Sequence, residues 1–165
     1  MTINTKGFTL TELMAVVVIV AILAAVATGS YRHALERSHM AEAYNVGATV
    51  LEAVNRYYYD NRYESTRECP KYSDLDMEIA KSGSCNPASD YCLKTQYFNI
   101  KIPASCSADK VVTAERLNGK YSLLFYPDFA PTRSLEKCSY GSNASGQKIC
   151  ESAGYKTCSG GTCSK

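Results

Sequence analysis

The sequence predicts an α+β protein: a long N-terminal α-helix, apolar all round in its first half, whose second half packs on an antiparallel β-sheet, followed by a disulfide-rich C-terminal region. Three observations carry this reading. An apolar run from Phe8 to about Ser30 contains a single charge, at Glu12. An amphipathic helical pattern continues directly from that run to Tyr59. All eight cysteines, at 69, 85, 92, 106, 138, 150, 158 and 163, fall after both. A chain of 165 residues accommodates about one domain plus a special N-terminal segment.

Composition narrows the partners. A formal net charge of +2, from 18 Lys+Arg against 16 Asp+Glu, is too balanced to mark nucleic acid as a direct partner. An even number of cysteines behind a membrane-directed segment points to disulfides formed in an oxidising compartment, so the part carrying them leaves the cytosol.

From Leu13 to Ala27 every residue is apolar, and with its flanks the stretch reaches the roughly 20 residues that a bilayer-spanning helix needs. Three readings compete for it. In the first it is a cleavable secretory signal: Lys6 supplies the basic region, and Ala25-Val26-Ala27 offers a small-x-small site with a cut after Ala27. In the second it is a plain single-pass anchor. Neither explains Glu12, since a carboxylate inside hydrocarbon costs about 2.5–3.5 kcal/mol on insertion scales. The third reading gives Glu12 a role. A cut between Gly7 and Phe8 creates a positively charged Phe8 amine at neutral pH, one helical turn from Glu12. Amine and helix dipole would both favour the carboxylate. In a bundle of such helices, the amine of one subunit could pair with Glu12 of another and set the axial register.

The residues "KGFTLTEL" followed by the apolar run resemble the type IV pilin and pseudopilin family, in its prepilin-type cleavage and methylation motif. The resemblance covers Lys6 to about Ala27. It implies a pilin-like fold and a leader at 1–7, removed by a prepilin peptidase that cuts after Gly7 on the cytoplasmic side and methylates Phe8. Residues 8–30 would be the transmembrane and filament-core half of the helix, 31–59 its amphipathic half, and 60–165 a globular head with Cys-rich loops. Glu12 takes the place of the family's assembly residue. The implied function is that of a structural, non-enzymatic subunit of a pilus or pseudopilus. It would sit in the inner membrane with its head outside the cytosol, then join a polymer of like or related subunits through an inner-membrane assembly platform. The alternative is a secreted, disulfide-stabilised binding module with a cleavable signal. Many pilins carry proline near the end of the apolar run; here Thr28-Gly29-Ser30 stands there, leaving a place where the helix could loosen.

Beyond Gly29, Met40, Tyr44, Gly47, Leu51, Val54 and Tyr58 recur at helical spacing, with Ala43 and Val50 widening the stripe. Glu42, Asn45, Thr49, Glu52 and Arg56 face away. The polar stretch after Asp60 reads as a long connecting loop with a short helical turn over 74–81. Strands are expected at 91–102, 110–116 and 120–127, with Asn118-Gly119 as a hairpin turn. Within the first, Phe98, Ile100 and Ile102 alternate with Tyr97, Asn99 and Lys101. The tail from Lys137 has little apolar material beyond Tyr140, Ile149 and Tyr155, so cross-links are expected to order it. Proximity suggests Cys138–Cys150 across a Gly141 to Gly146 turn and Cys158–Cys163 across Ser-Gly-Gly-Thr. Cys69, Cys85, Cys92 and Cys106 would then pair among themselves.

No metal or cofactor site is expected, since the cysteine spacings contain no Cys-x-x-Cys and the histidines, 33 and 39, lie far from them. His33 and His39 read as solvated helix residues, and no catalytic set assembles around them. "CSGGTC" reads as a tight loop rather than a phosphate loop. Asn143-Ala144-Ser145 matches a glycosylation sequon. The tyrosine cluster 57–59 is expected to be partly core, and Arg32 and Arg37 to lie just beyond the membrane segment.

Overall fold

The computed structural model describes residues 7–61, 69–79, 83–85, 89–104, 112–127 and 136–165. The chain divides into two units, Met1–Glu36 and Arg37–Lys165. Helix α1 spans Leu10–Asp60, 51 residues, and is unbroken through Thr28-Gly29-Ser30. There the Thr28 hydroxyl donates back to the Ala24 carbonyl at 2.7 Å.

In the first unit the side chains from Gly7 to Leu35 are all exposed, as an all-round apolar sequence requires when nothing of its own chain covers it. In the second unit α1 acquires an inside. His39, Met40, Ala43, Gly47, Val50, Ala53, Val54, Asn55 and Tyr58 are buried. The stripe is therefore rotated from the expected one: Tyr44 is exposed and Leu51 half-buried, while His39 and Asn55 turn inward. Of the tyrosine cluster, Tyr58 is core, Tyr57 half-buried and Tyr59 exposed.

His39 corrects the expectation of a solvated histidine. Its ring stacks on Tyr97, centroids 3.9 Å apart, and Nδ1 lies 2.9 Å from Arg116 Nη2. A guanidinium only donates, so Nδ1 accepts. The Arg116 side chain also covers the rings of Tyr97 and Phe98, tying the start of the buried helix face to the sheet.

Among the described residues the sheet has seven antiparallel strands in the order β1-β2-β3-β4-β5-β7-β6. These are β1 Cys92–Lys94, β2 Phe98–Lys101, β3 Val112–Arg116, β4 Ser122–Phe125, β5 Glu136–Ser139, β6 Thr157–Ser159 and β7 Thr162–Ser164. The single strand expected over 91–102 is a hairpin. Thr95 turns the chain: its amide donates to the Phe98 carbonyl at 2.8 Å and its hydroxyl accepts from the Phe98 amide at 3.2 Å. A buried hydroxyl satisfied by the backbone breaks the run. The alternation survives on β2 and just beyond it, where Phe98, Ile100 and Ile102 are buried. Asn118-Gly119 turns between β3 and β4, Gly119 at φ 69°, as a hairpin turn needing a left-handed residue demands.

The connecting segment carries a 3-10 turn at Tyr72–Asp74, short of the helical turn expected over 74–81. Residues 75–79 are not helical, and 80–82 lie outside the described residues. Burial pushes the Tyr72 phenol upward from its ordinary value, and its hydroxyl donates to the Ile100 carbonyl. Asp76 takes two hydrogen bonds from Arg56 on α1, at 2.9 and 3.2 Å, which hold its carboxyl below the ordinary range.

The tail is more regular than its composition suggested. Helix α2, Ala144–Ser152, starts from Asn143, whose side chain accepts from the Gly146 amide at 2.9 Å. The expected turn is thus a strand-to-helix connection, and the sequon asparagine is a helix cap. Ile149, Tyr155, Cys138, Cys150 and Cys163 belong to the same core as α1 and the central strands. Cross-links therefore add to a shared core instead of replacing one. Disulfides join Cys138 to Cys150, Cys158 to Cys163 and Cys85 to Cys92. Cys69 is also disulfide-bonded, and Cys106 lies outside the described residues.

At Gly47 the α1 backbone approaches the sheet closely. A Cβ there would stand 2.3 Å from Cε2 of the buried Phe125 ring. Gly47→Ala gains about 1 kcal/mol of helix propensity, but overpacking costs about 1–3 kcal/mol, and a rigid ring at 2.3 Å leaves no easy relaxation. We expect Gly47→Ala to lower stability by about 1–2 kcal/mol, read as a reduced Tm of the full chain in detergent; an unchanged or raised Tm would contradict this packing.

Candidate functional site

The N-terminal segment places Gly7, Phe8 and Thr9 outside the helix and Leu10 as its first residue. A helix leaves its first amides without internal acceptors, and here Thr9 and Glu12 supply them. The Thr9 amide and hydroxyl both donate to Glu12 Oε2, at 2.9 and 2.8 Å, and the Glu12 amide points at Thr9 Oγ1 at 3.3 Å. This reciprocal arrangement is a capping box. Its signature, Thr-x-x-Glu, stands in the sequence as Thr9-Leu10-Thr11-Glu12. The reading from sequence assigned a role to Glu12 and overlooked Thr9, although that spacing could have found it.

Glu12 therefore has a local reason to exist at the positive end of α1. Only one of its oxygens is engaged: among the described residues, Oε1 accepts no hydrogen bond. Around it Phe8, 79 % exposed, and Leu10, Leu13 and Met14 are also uncovered. Glu12 is the sole acidic side chain between Gly7 and Leu35. Among the described residues the site is thus an ionisable group with one acceptor oxygen not engaged, in a sleeve of apolar side chains next to the Gly7–Phe8 bond. Arg32 and His33 lie on the same helix beyond the apolar stretch and do not approach it in sequence.

Such a helix can cross a membrane by length and composition. Among the described residues no catalytic partner hydrogen-bonds to Glu12, and no cluster of His, Cys, Asp or Glu is arranged to hold a metal. The described cysteines are in disulfides, so none offers a thiolate ligand.

Residues 3–28 match the prokaryotic N-terminal methylation motif. Fimbrial protein EcpC of Eikenella corrodens is 49 % identical over 55 residues, covering 33 % of this chain and 36 % of that protein. The type IV major pilin protein PilE1 of Neisseria gonorrhoeae is 34 % identical over 110 residues, covering 67 % of this chain and 43 % of its own length. The chain spans less than half the length of these curated relatives. No solved structure matches it. The long apolar-to-amphipathic helix, the antiparallel sheet and the disulfides define an α+β, pilin-like protein. In the matched motif and over these aligned stretches, the chain is similar to type IV pilins.

The capping box has a direct test. Thr9→Ala removes both the capping oxygen and the side-chain donor, so amide hydrogen exchange at Leu10 to Leu13 should speed up several-fold in micelles, whereas Thr9→Ser should leave it close to wild type. Equal protection in all three proteins would show that the box does not hold the first turn.

Proposed function

We propose that the protein is a structural subunit of a type IV pilus or a pseudopilus, polymerising through α1 after its leader is removed. In this reading a prepilin peptidase cuts between Gly7 and Phe8 and the new Phe8 amine is methylated. The subunit waits in the inner membrane, its disulfide-bonded part outside the cytosol, until an assembly platform passes it to the polymer. Its destination is a cell-surface pilus or a periplasmic pseudopilus.

The observation that carries the reading is the state of Glu12. One oxygen caps its own helix and, among the described residues, the other accepts no hydrogen bond, in a segment whose apolar side chains are exposed. Lipid and a bundle of like helices are similarly apolar, so moving α1 from one to the other yields little hydrophobic gain. Direction and register then fall to packing and to the polar end. A cationic amine on a neighbouring subunit would find Oε1 in low dielectric, where an ion pair acts far more strongly than in water. The cap and the intermolecular pair can coexist because they use different oxygens.

Glu12→Ala should give a chain that is still processed, membrane-bound and disulfide-bonded, but whose yield in sheared filaments or pseudopilus-enriched fractions falls by about tenfold or more, the ratio that a loss of roughly 1.4 kcal/mol produces in a simple binding equilibrium. Because this substitution also removes the cap, Thr9→Ala serves as the control: it loses the cap but keeps the carboxylate, and should still assemble. Wild-type incorporation of Glu12→Ala, or equal loss in both variants, would overturn the assembly role of the free oxygen.

A further inference from the structure

A cavity of about 280 Å³ opens within the second unit, lined among others by Met40, Tyr44, Glu136, Ala153, Tyr155 and Lys165. Its chemistry is specific. The Lys165 ammonium lies 5.1 Å from the ring centroid of Tyr44 and 5.3 Å from that of Tyr155, and donates to Glu136 Oε2 at 2.8 Å. Two aromatic faces and a carboxylate around one nitrogen form an ammonium cage, since ring quadrupoles attract cations within about 6 Å. The Glu136 side chain is only 9 % exposed, and a carboxylate so buried requires a cation beside it.

Lys165 meets the charge requirement without filling the space. Its side chain is 55 % exposed, so it can leave to water. The Tyr155 hydroxyl is buried with no hydrogen-bond partner among the described residues, although buried phenols ordinarily have one. Exchange of Lys165 for an external ammonium would keep the charge balance of the cavity, including that of Arg37, which also lines it.

We propose that Tyr44, Tyr155 and Glu136 form a binding site for a primary alkylammonium group, with Lys165 as its resident competitor. The primary amine is favoured because Glu136 accepts an N–H hydrogen bond from the nitrogen now in the cage. The apolar wall of Met40 and Ala153 takes the alkyl chain. A site of this volume suits a small ligand.

The test is titration of the full chain in neutral maltoside micelles with n-butylammonium chloride, against sodium chloride at equal ionic strength, followed by the NMR methyl signals of Met40 and Ala153. Lys165→Gln should show saturable shifts and bind at least about fivefold more tightly than wild type. Adding Tyr44→Leu to Lys165→Gln should weaken binding about two- to tenfold; Tyr44 is an exposed helix residue, so the fold should persist, as unchanged remaining methyl signals would verify. Adding Glu136→Gln to Lys165→Gln should abolish saturation, and tetramethylammonium, which has no N–H to donate, should bind Lys165→Gln more weakly than n-butylammonium. The absence of saturable shifts in Lys165→Gln, binding unaffected by Tyr44→Leu, or equal binding of tetramethylammonium would each overturn the proposal.

Discussion

Between Phe8 and Leu35, α1 exposes more than a dozen large apolar side chains, among them Leu13, Val16, Ile19, Ile22, Leu23 and Val26. Full burial of such a side chain stabilises by about 1.5–3 kcal/mol, so leaving this segment in water is costly. A helix satisfies its backbone polar groups internally, which makes α1 suited to lipid or to a bundle of similar helices. Every other feature of the N-terminus answers to that constraint. Charges are absent from Leu13 to Ala27, glycine at 29 does not interrupt the helix, and the one carboxylate stands where the Thr9 cap can hold it.

The second unit solves the opposite problem, because its core is assembled from short pieces. Strands of three to five residues cannot hold themselves, and they gain order from being neighbours in one sheet under the buried face of α1. Gly47 lets that helix approach Phe125 closely, and His39 and Arg116 add a polar clasp at its near end. The Cys138–Cys150 disulfide joins the central sheet to α2. Cys158–Cys163 closes the edge hairpin, whose outward residues supply little apolar area. Cross-links of this kind stabilise chiefly by restricting the unfolded chain, and here they add to a core in which Cys138, Cys150 and Cys163 are themselves buried.

Much of this was legible in the residues. The helix and its change from apolar to amphipathic followed from periodicity over 50 positions, where local deviations average out. Asn118-Gly119 announced its hairpin because few dipeptides accept positive φ so readily. Cys138–Cys150 and Cys158–Cys163 followed from proximity in the chain. The failures lie where a single side chain decides. Thr95 splits a continuous β-prone run through a hydrogen bond to Phe98 that no alternation pattern contains. His39 is buried because Arg116, 77 residues on, offers it a donor, and Asn143 starts a helix in a stretch whose composition reads as turn. At the candidate site, Gly7, Phe8 and Glu12 stood out by motif. Thr9 did not, because its role rests on a three-residue spacing to Glu12 that is easily lost beside the strong signal of the apolar run.

The central claim is that α1 becomes an assembly element once a new N-terminus is created one turn before Glu12. The most direct measurement is intact-mass and N-terminal analysis of the mature chain recovered from its native membrane. The account predicts a protein that begins at Phe8 with a methylated α-amine. A mature chain that begins at Thr28 would make α1's apolar half a discarded signal and would contradict it.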